Sequence, residues 1–220
     1  MTSRQDVLRE ARTAAQFQHP NILRVINIGE IRDLGNGYIV MDYQEGSRTL
    51  EEMLDDAQEN LRRLPLDENT LRIVSQVADA LHYAHSMDIV HQDVKPSNII
   101  IDAEGNAYLT DFGLATTKRL PGSSMKTVDA VSGMSGTIPY MSPEQFQEGD
   151  RGQPLTPSTD IYSLGVVTYE MLVGQLPYPG KAAAPIIHQI VEGVRTPPRQ
   201  LNAEIEEKVQ TVLLKVLSKD

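Results

Sequence analysis

Apolar positions along this chain change their spacing several times, and each change marks an element. Val7, Leu8, Ala11, Ala14 and Ala15 cluster on one face of a helix over residues 3–17. Ser3 and Asp6 there resemble a capping box, and His19-Pro20-Asn21 ends the helix in a turn. Two β-rich runs follow, 22–31 and 38–42, and the intervening Asn36-Gly37 predicts a hairpin turn. A short helix starts over residues 50–54. A longer one, capped by Asp67, repeats Leu71, Val74, Ala78 and Leu81 at helical spacing. The runs 99–101 and 108–110 flank Gly105-Asn106 and predict a second hairpin. Residues 111–144 carry many Gly, Ser, Thr and Pro with little periodicity, which indicates a long functional loop. Residues 160–173 are apolar on nearly all sides and predict a buried helix stopped by Gly174. Helices over 185–192 and 203–217 complete the order. The sum is an α+β chain with a small sheet-containing part and a mostly helical body, and the cleft between them is the expected ligand site.

Composition narrows this. The chain has 220 residues, 40% of them hydrophobic, enough for one domain with a full core. A net charge of −10 argues against a nucleic-acid surface, which needs clustered Lys and Arg. There is no cysteine, so disulfides and thiolate metal sites are excluded. No apolar run in this span reaches the ~18 residues that cross a bilayer, and the first ten residues lack a secretory layout. The expected location is cytoplasmic, with a membrane anchor open to a longer parent.

Chemistry concentrates in HQDVKPSN at 91–98 and DFG at 111–113. Asp93, Lys95, Asn98 and Asp111 supply two carboxylates, an ammonium and an amide from neighbouring loops. Phosphoryl transfer from a magnesium-bound nucleotide needs that inventory: a base facing a hydroxyl, a positive charge near the moving group and oxygen ligands for the metal. His82 and His85 lie one turn apart, but with no third ligand evident they read as packing or surface residues. His19 shapes a turn, His188 is exposed, and Lys118-Arg119 and Arg62-Arg63 are solvated charges.

The H-x-D-x-K-x-x-N run followed by DFG resembles the catalytic core of eukaryotic-type serine/threonine protein kinases, most like the bacterial branch. The resemblance covers the whole chain as one partial kinase domain, with residues 1–43 an N-lobe remnant and hinge and 44–220 the C-lobe. It implies Mg-ATP as phosphoryl donor and protein Ser or Thr as acceptor. Asp93 would be the base, and Lys95 would neutralise the transferring phosphoryl. Asn98 and Asp111 would hold Mg²⁺. Thr137, in GTIPYMSPE, would tie the substrate loop to the base. Met41 would gate the back pocket, the backbones of Asp42 and Gln44 would pair with the adenine edge, and Ile100 would pack beneath the base. Glu10 would be the regulatory-helix glutamate. Ser142-Pro143-Glu144 corresponds to APE, and Asp160, in DIYSLG, to the aspartate that holds the catalytic loop from below while capping its helix. A lysine two residues past the base favours Ser/Thr over Tyr acceptors.

Three departures from the family pattern carry expectations. No glycine-rich loop or V-A-x-K lysine precedes the regulatory helix. Glu10 thus lacks a partner, and turnover by this span is expected to fall by at least ~10²–10³. The lone first hairpin leaves an unpaired edge that invites self-association. The chain ends at LLKVLSKD, before the arginine that pairs with Glu144, so both ends look cut. Gln92 replaces the arginine of HRD, and an amide cannot bind a loop phosphate with charge. A phosphate on Thr127, Ser132 or Ser135 is therefore not expected to switch activity strongly. Two other classes compete with the kinase reading. A scaffold that keeps the fold without turnover would suit the missing phosphate-binding lobe but has no chemical need for all four site residues. A small-molecule phosphotransferase shares H-x-D…N…D but not Lys95, GTIPYMSPE or DIYSLG.

Overall fold

A computed structural model describes residues 15–31, 36–59, 64–112, 137–147, 155–180 and 182–218. The described residues form an α+β fold of two small antiparallel sheets and a larger helical body. Among the described residues, strands β1 (Val25–Ile31) and β2 (Asn36–Met41) form a two-stranded sheet, with Ile28 opposite Ile39 and Ile31 opposite Asn36. The expected turn pair, Asn36-Gly37, therefore lies within β2. Backbone pairing runs on through two residues whose local preference is for a turn. Residues 1–14, including Glu10 and most of the expected first helix, lie outside the described residues. That helix does not reach residue 17: Ala15 and Gln16 form a turn, and Phe17 is buried in non-helical backbone.

Strand β3 (Arg48–Thr49) leads directly into α1 (Leu50–Glu59), which is longer than its apolar start suggests. Thr49 and Glu52 close the start reciprocally: Glu52 N–H donates to Thr49 Oγ1, and Thr49 N–H to Glu52 Oε2. Helix α2 (Glu68–His85) is capped as expected, with Thr70 N–H donating to Asp67 Oδ1 at 2.9 Å. Its buried stripe is Thr70, Ile73, Val77, Ala80, Leu81 and Ala84. Leu71, expected in the core, is half exposed at 50%. Leu81 belongs to both stripes, so the helix is rotated slightly from the expected face as it docks on the next elements.

A 3₁₀ turn (Pro96–Asn98) runs into β4 (Ile99–Ile101), which pairs with β3 on one side and β5 (Ala107–Leu109) on the other. Asp102 braces the β4–β5 turn by accepting from Asn106 N–H, Asn106 Nδ2 and the Tyr108 hydroxyl, and these bonds hold its carboxyl below its ordinary pKa against a desolvation that pushes the other way. Within the expected 111–144 loop, the described part is not all irregular. Residues Ile138–Tyr140 form a 3₁₀ turn, and α3 (Pro143–Gln147) begins before the loop was expected to end. Residues 113–136, with Thr127, Ser132, Ser135 and Lys118-Arg119, lie outside the described residues, as do Arg62 and Arg63.

The buried helix is α4 (Pro157–Val173), ended by Gly174 at φ 80°. It starts three residues before Asp160 with Thr156 at the cap, so Asp160 is an interior first-turn residue and not the cap. Gly165 lets α7 (Glu207–Val216) approach closely: a Cβ there would stand 2.5 Å from Val216 Cγ1. Between them come α5 (Ala183–Glu192) and a short α6 (Pro198–Leu201), which the sequence pattern did not predict. The last helix starts four residues later than expected because Ile205 is buried in the turn before it. Among the described residues no helix is long and apolar enough to cross a membrane.

Glu170 on α4 is buried, and Tyr140 donates its hydroxyl to Glu170 Oε2 at 2.7 Å. Burial pushes the Glu170 carboxyl above its ordinary 4.5, and Asp55 and Glu51 push the same way, outweighing the Tyr140 bond. The folded state thus holds this proton more tightly than the unfolded one, so its stabilising contribution is full below 4.5 and is lost as pH rises through the raised value. Glu170→Gln, which is neutral throughout, is expected to raise the melting temperature at pH 7 and to flatten the decline of stability above pH 4.5. Thermal melts across pH 4–8 check this; parallel curves for the two proteins would contradict it.

Candidate active site

The segment 91–98 has too little regular structure to hold itself, so its shape is imposed from outside. Asp160 does most of this. Its carboxylate is fully buried and accepts from His91 N–H at 2.8 Å, Gln92 N–H at 2.7 Å and His85 Nε2 at 2.7 Å. Two consecutive amides pointing at one carboxylate force a tight local turn, and Gln92 takes φ 69° to make it. That left-handed conformation costs a non-glycine residue about 1–2 kcal/mol and persists only where surrounding bonds over-determine it.

His91 links this loop to the next. Its Nε2–H donates to Thr110 O at 2.8 Å, and its Nδ1 accepts from Asp93 N–H at 3.2 Å, which fixes the tautomer. Phe112 packs edge-on against His91 with centroids 4.5 Å apart and against Phe17 at 4.8 Å. Thr110 N–H also donates to Asn98 O at 3.0 Å. These contacts bring Asp111, at φ 64°, beside the 91–98 loop.

Three of the four chemical groups expected from sequence are bonded to one another. Lys95 Nζ lies 3.0 Å from Asp93 Oδ2 and donates to Thr137 Oγ1 at 3.0 Å. Asn98 Nδ2 donates to Asp93 O at 2.8 Å and contacts Asp93 Oδ2 at 3.4 Å. Asp93, Lys95, Asn98 and Thr137 thus form one bonded cluster, and Asp111 follows Thr110, whose N–H bonds Asn98 O. Asp93 is 9% exposed and the Lys95 side chain 15%. In such a partly desolvated setting the pair is screened less by salt than a surface pair would be.

Met41 accepts a long contact from Thr110 Oγ1 at 3.5 Å, which places it beside the residue that follows β5 and precedes Asp111. Asp42 donates its N–H to Arg24 O, and Gln44 O accepts from Ser47 N–H. Their remaining backbone groups, the Asp42 carbonyl and the Gln44 N–H, form an acceptor and a donor two residues apart. Ile100 is half-buried in the middle of the three-stranded sheet, opposite Thr49 and Tyr108.

Sequence reasoning missed several residues that hold this site. His85 is not a mere packing residue, since it bonds the Asp160 carboxylate. Glu144, expected to be orphaned, is half-buried and accepts from Thr159 Oγ1 at 2.8 Å. Ser163 Oγ donates to Tyr140 O at 2.8 Å. Gln145 bridges Ser142 and Gln92. Each pairs with a residue distant in the chain, so neither spacing nor periodicity signals it. The two readings of His19 and His188 hold: His19 Nδ1 accepts from Asn21 N–H within its turn, and His188 is exposed.

A family model described as the protein kinase domain matches residues 1–220. The chain belongs to the protein kinase family. Among curated relatives, this kinase chain is 36% identical over 213 residues to a serine/threonine-protein kinase, PrkC, of Bacillus subtilis. It is 34% identical over 215 residues to serine/threonine-protein kinase PknB of Mycolicibacterium smegmatis. Both alignments cover 96% of this chain but only 30% and 32% of the relatives. The kinase chain therefore spans about a third of the length of these proteins.

Proposed function

We propose that this chain is the catalytic domain of a serine/threonine protein kinase, transferring the γ-phosphoryl of Mg-ATP to hydroxyls of protein Ser and Thr. The observation that carries this reading is the Asp93–Lys95–Thr137 cluster. A carboxylate and an ammonium 3.0 Å apart are held on a buried scaffold, with a hydroxyl from the 137–147 segment bonded to the ammonium. Asp93 orients the acceptor hydroxyl and takes its proton as the oxygen bonds to the γ-phosphorus and the bond to the ADP oxygen breaks. Lys95 balances charge on the phosphoryl in transit, and Thr137 keeps that ammonium in place as the acceptor arrives. Asn98 and Asp111 offer hard oxygen ligands, which suit Mg²⁺. With its nitrogen donating to Asp93 O, the Asn98 amide would offer its carbonyl oxygen to a bound Mg²⁺. When bound, Mg²⁺ neutralises charge on the phosphates. The Asp42 carbonyl and Gln44 N–H match the donor–acceptor edge of adenine, with Met41 and Ile100 as apolar walls.

The test uses the full-length protein with ATP and Mg²⁺ against peptide libraries presenting Ser, Thr or Tyr. Phosphoserine and phosphothreonine are the expected products. Nucleotide at a hundredfold excess over its Kd is expected to stabilise by about 2.7 kcal/mol, read as a thermal shift dependent on Mg²⁺. Phosphate appearing only on an aminoglycoside or choline, or no shift and no product, would overturn the reading.

A further inference from the structure

We infer that Gln145 is a positioning residue for Asp93, acting through the Gln92 carbonyl; this rests on the kinase reading above. Gln92, the residue preceding Asp93, is held at both of its ends. On the amide side, Gln92 N–H donates to Asp160 Oδ1 at 2.7 Å. On the carbonyl side, Gln145 Nε2 donates to Gln92 O at 3.0 Å. The second bond, together with the 3.2 Å bond from Asp93 N–H to His91 Nδ1, fixes the plane of the Gln92–Asp93 peptide bond, and that plane sets where the Asp93 side chain leaves the backbone.

The conformation needs this support. Gln92 is at φ 69°, where a side-chain-bearing residue stays only under constraint from its surroundings. Asp160 alone constrains one end of the residue. The other end faces Gln145, whose amide is itself aimed by two bonds. Ser142 N–H donates to Gln145 Oε1 at 2.9 Å, and Ser142 Oγ contacts the same oxygen at 3.3 Å. Ser142 is fully buried, so this anchor does not move with solvent. With its oxygen engaged by Ser142, the amide must present its nitrogen to Gln92. The 137–147 segment therefore grips the catalytic loop twice, at Lys95 through Thr137 and at Gln92 through Gln145. The Gln92 grip is a bond between neutral groups, so it needs no phosphate and no counter-charge.

The chemistry of the amide makes the test specific. Glutamate at 145 keeps the length and still accepts from Ser142, but a carboxylate cannot donate to Gln92 O. Methionine keeps the approximate shape and makes neither bond. In the full-length protein, Gln145→Glu and Gln145→Met are compared with wild type by steady-state kinetics and by amide hydrogen exchange over residues 91–95 and over α4. The expected result is a fall in kcat of about 10²-fold, the scale of a small misplacement of a catalytic group. KM for ATP and peptide stays within threefold, and exchange over 91–95 accelerates at least tenfold while α4 exchange is unchanged. A loss carried by the peptide KM with kcat intact would overturn the inference, since Gln145 would then shape only the acceptor surface. Unchanged kcat and exchange, or equal acceleration in α4, would also overturn it. If wild type transfers no phosphate, the kinase reading has failed, and the exchange comparison still decides whether Gln145 holds the Gln92 peptide.

Discussion

Asp93→Asn is expected to lower phosphoryl transfer by about 10²–10⁴-fold while leaving the fold and nucleotide affinity nearly unchanged. The separation of effects follows from which atoms are used for what. The backbone of Asp93 carries the structural bonds: its N–H donates to His91 Nδ1, and its carbonyl accepts from Asn98 Nδ2. An asparagine keeps both. Its side-chain oxygen still accepts from Lys95, and Lys95 retains its bond to Thr137 Oγ1. The substitution removes one property, the capacity to take a proton at neutral pH, and with it the negative charge beside Lys95. Melting temperature is expected to stay within a few degrees, and the Mg-ATP thermal shift to persist. A variant retaining more than a tenth of wild-type turnover would show that Asp93 is not the proton acceptor. A variant that loses the nucleotide shift as well would show that its charge is used in binding and not only in the chemical step.

The ease of reading Asp93 from the sequence contrasts with the rest of its support. Its partners Lys95 and Asn98 fall within five residues, so their spacing carries the geometry, and the hairpin between Asn98 and Asp111 is short enough for its turn to be recognised. Asp160 was recognisable through DIYSLG as the aspartate that holds the loop from below, and its bonds to the His91 and Gln92 amides fit that reading, whereas the cap position falls to Thr156. Gln145, Thr159 and His85 gave no signal. Their partners lie between 15 and 75 positions away, and an isolated Gln, Thr or His has no periodicity to expose it. On α2, Val74, Ala78 and Leu81 pack on the core, and Leu71 alone of the four faces outward. The expected stripe flanks the fully buried one, and docking against α4 and β5 centres the buried face on Ile73, Val77, Ala80 and Ala84. Asn36-Gly37 failed because local turn preference is about 1 kcal/mol or less, within reach of a few added ladder bonds.

Asp160→Ala is expected to be the most damaging single change for stability and to abolish activity without touching any reacting atom. The carboxylate is fully buried and serves three donors from two elements. Truncating it leaves the His91 and Gln92 amides and the His85 Nε2–H without their acceptor. Removing one partner from a buried, hydrogen-bonded charge network costs about 3–5 kcal/mol. For a domain of this size each kcal/mol moves the melting temperature by about 2–4 °C, so a drop of roughly 6–20 °C is expected. Gln92 has no reason to remain at φ 69° once its amide is released, and Asp93 moves with it. Asp160→Asn separates the terms. An amide oxygen can still accept from one donor, but its NH₂ would confront another donor, so part of the stability returns while the loop stays misaligned. The expected order in melting temperature is wild type, then Asn, then Ala, with both variants inactive at a temperature where both are folded. Full activity in the folded Asp160→Asn protein would show that the loop holds its shape without the carboxylate. His91–Phe112 packing and the Gln145 bond would then be sufficient to keep Asp93 in place.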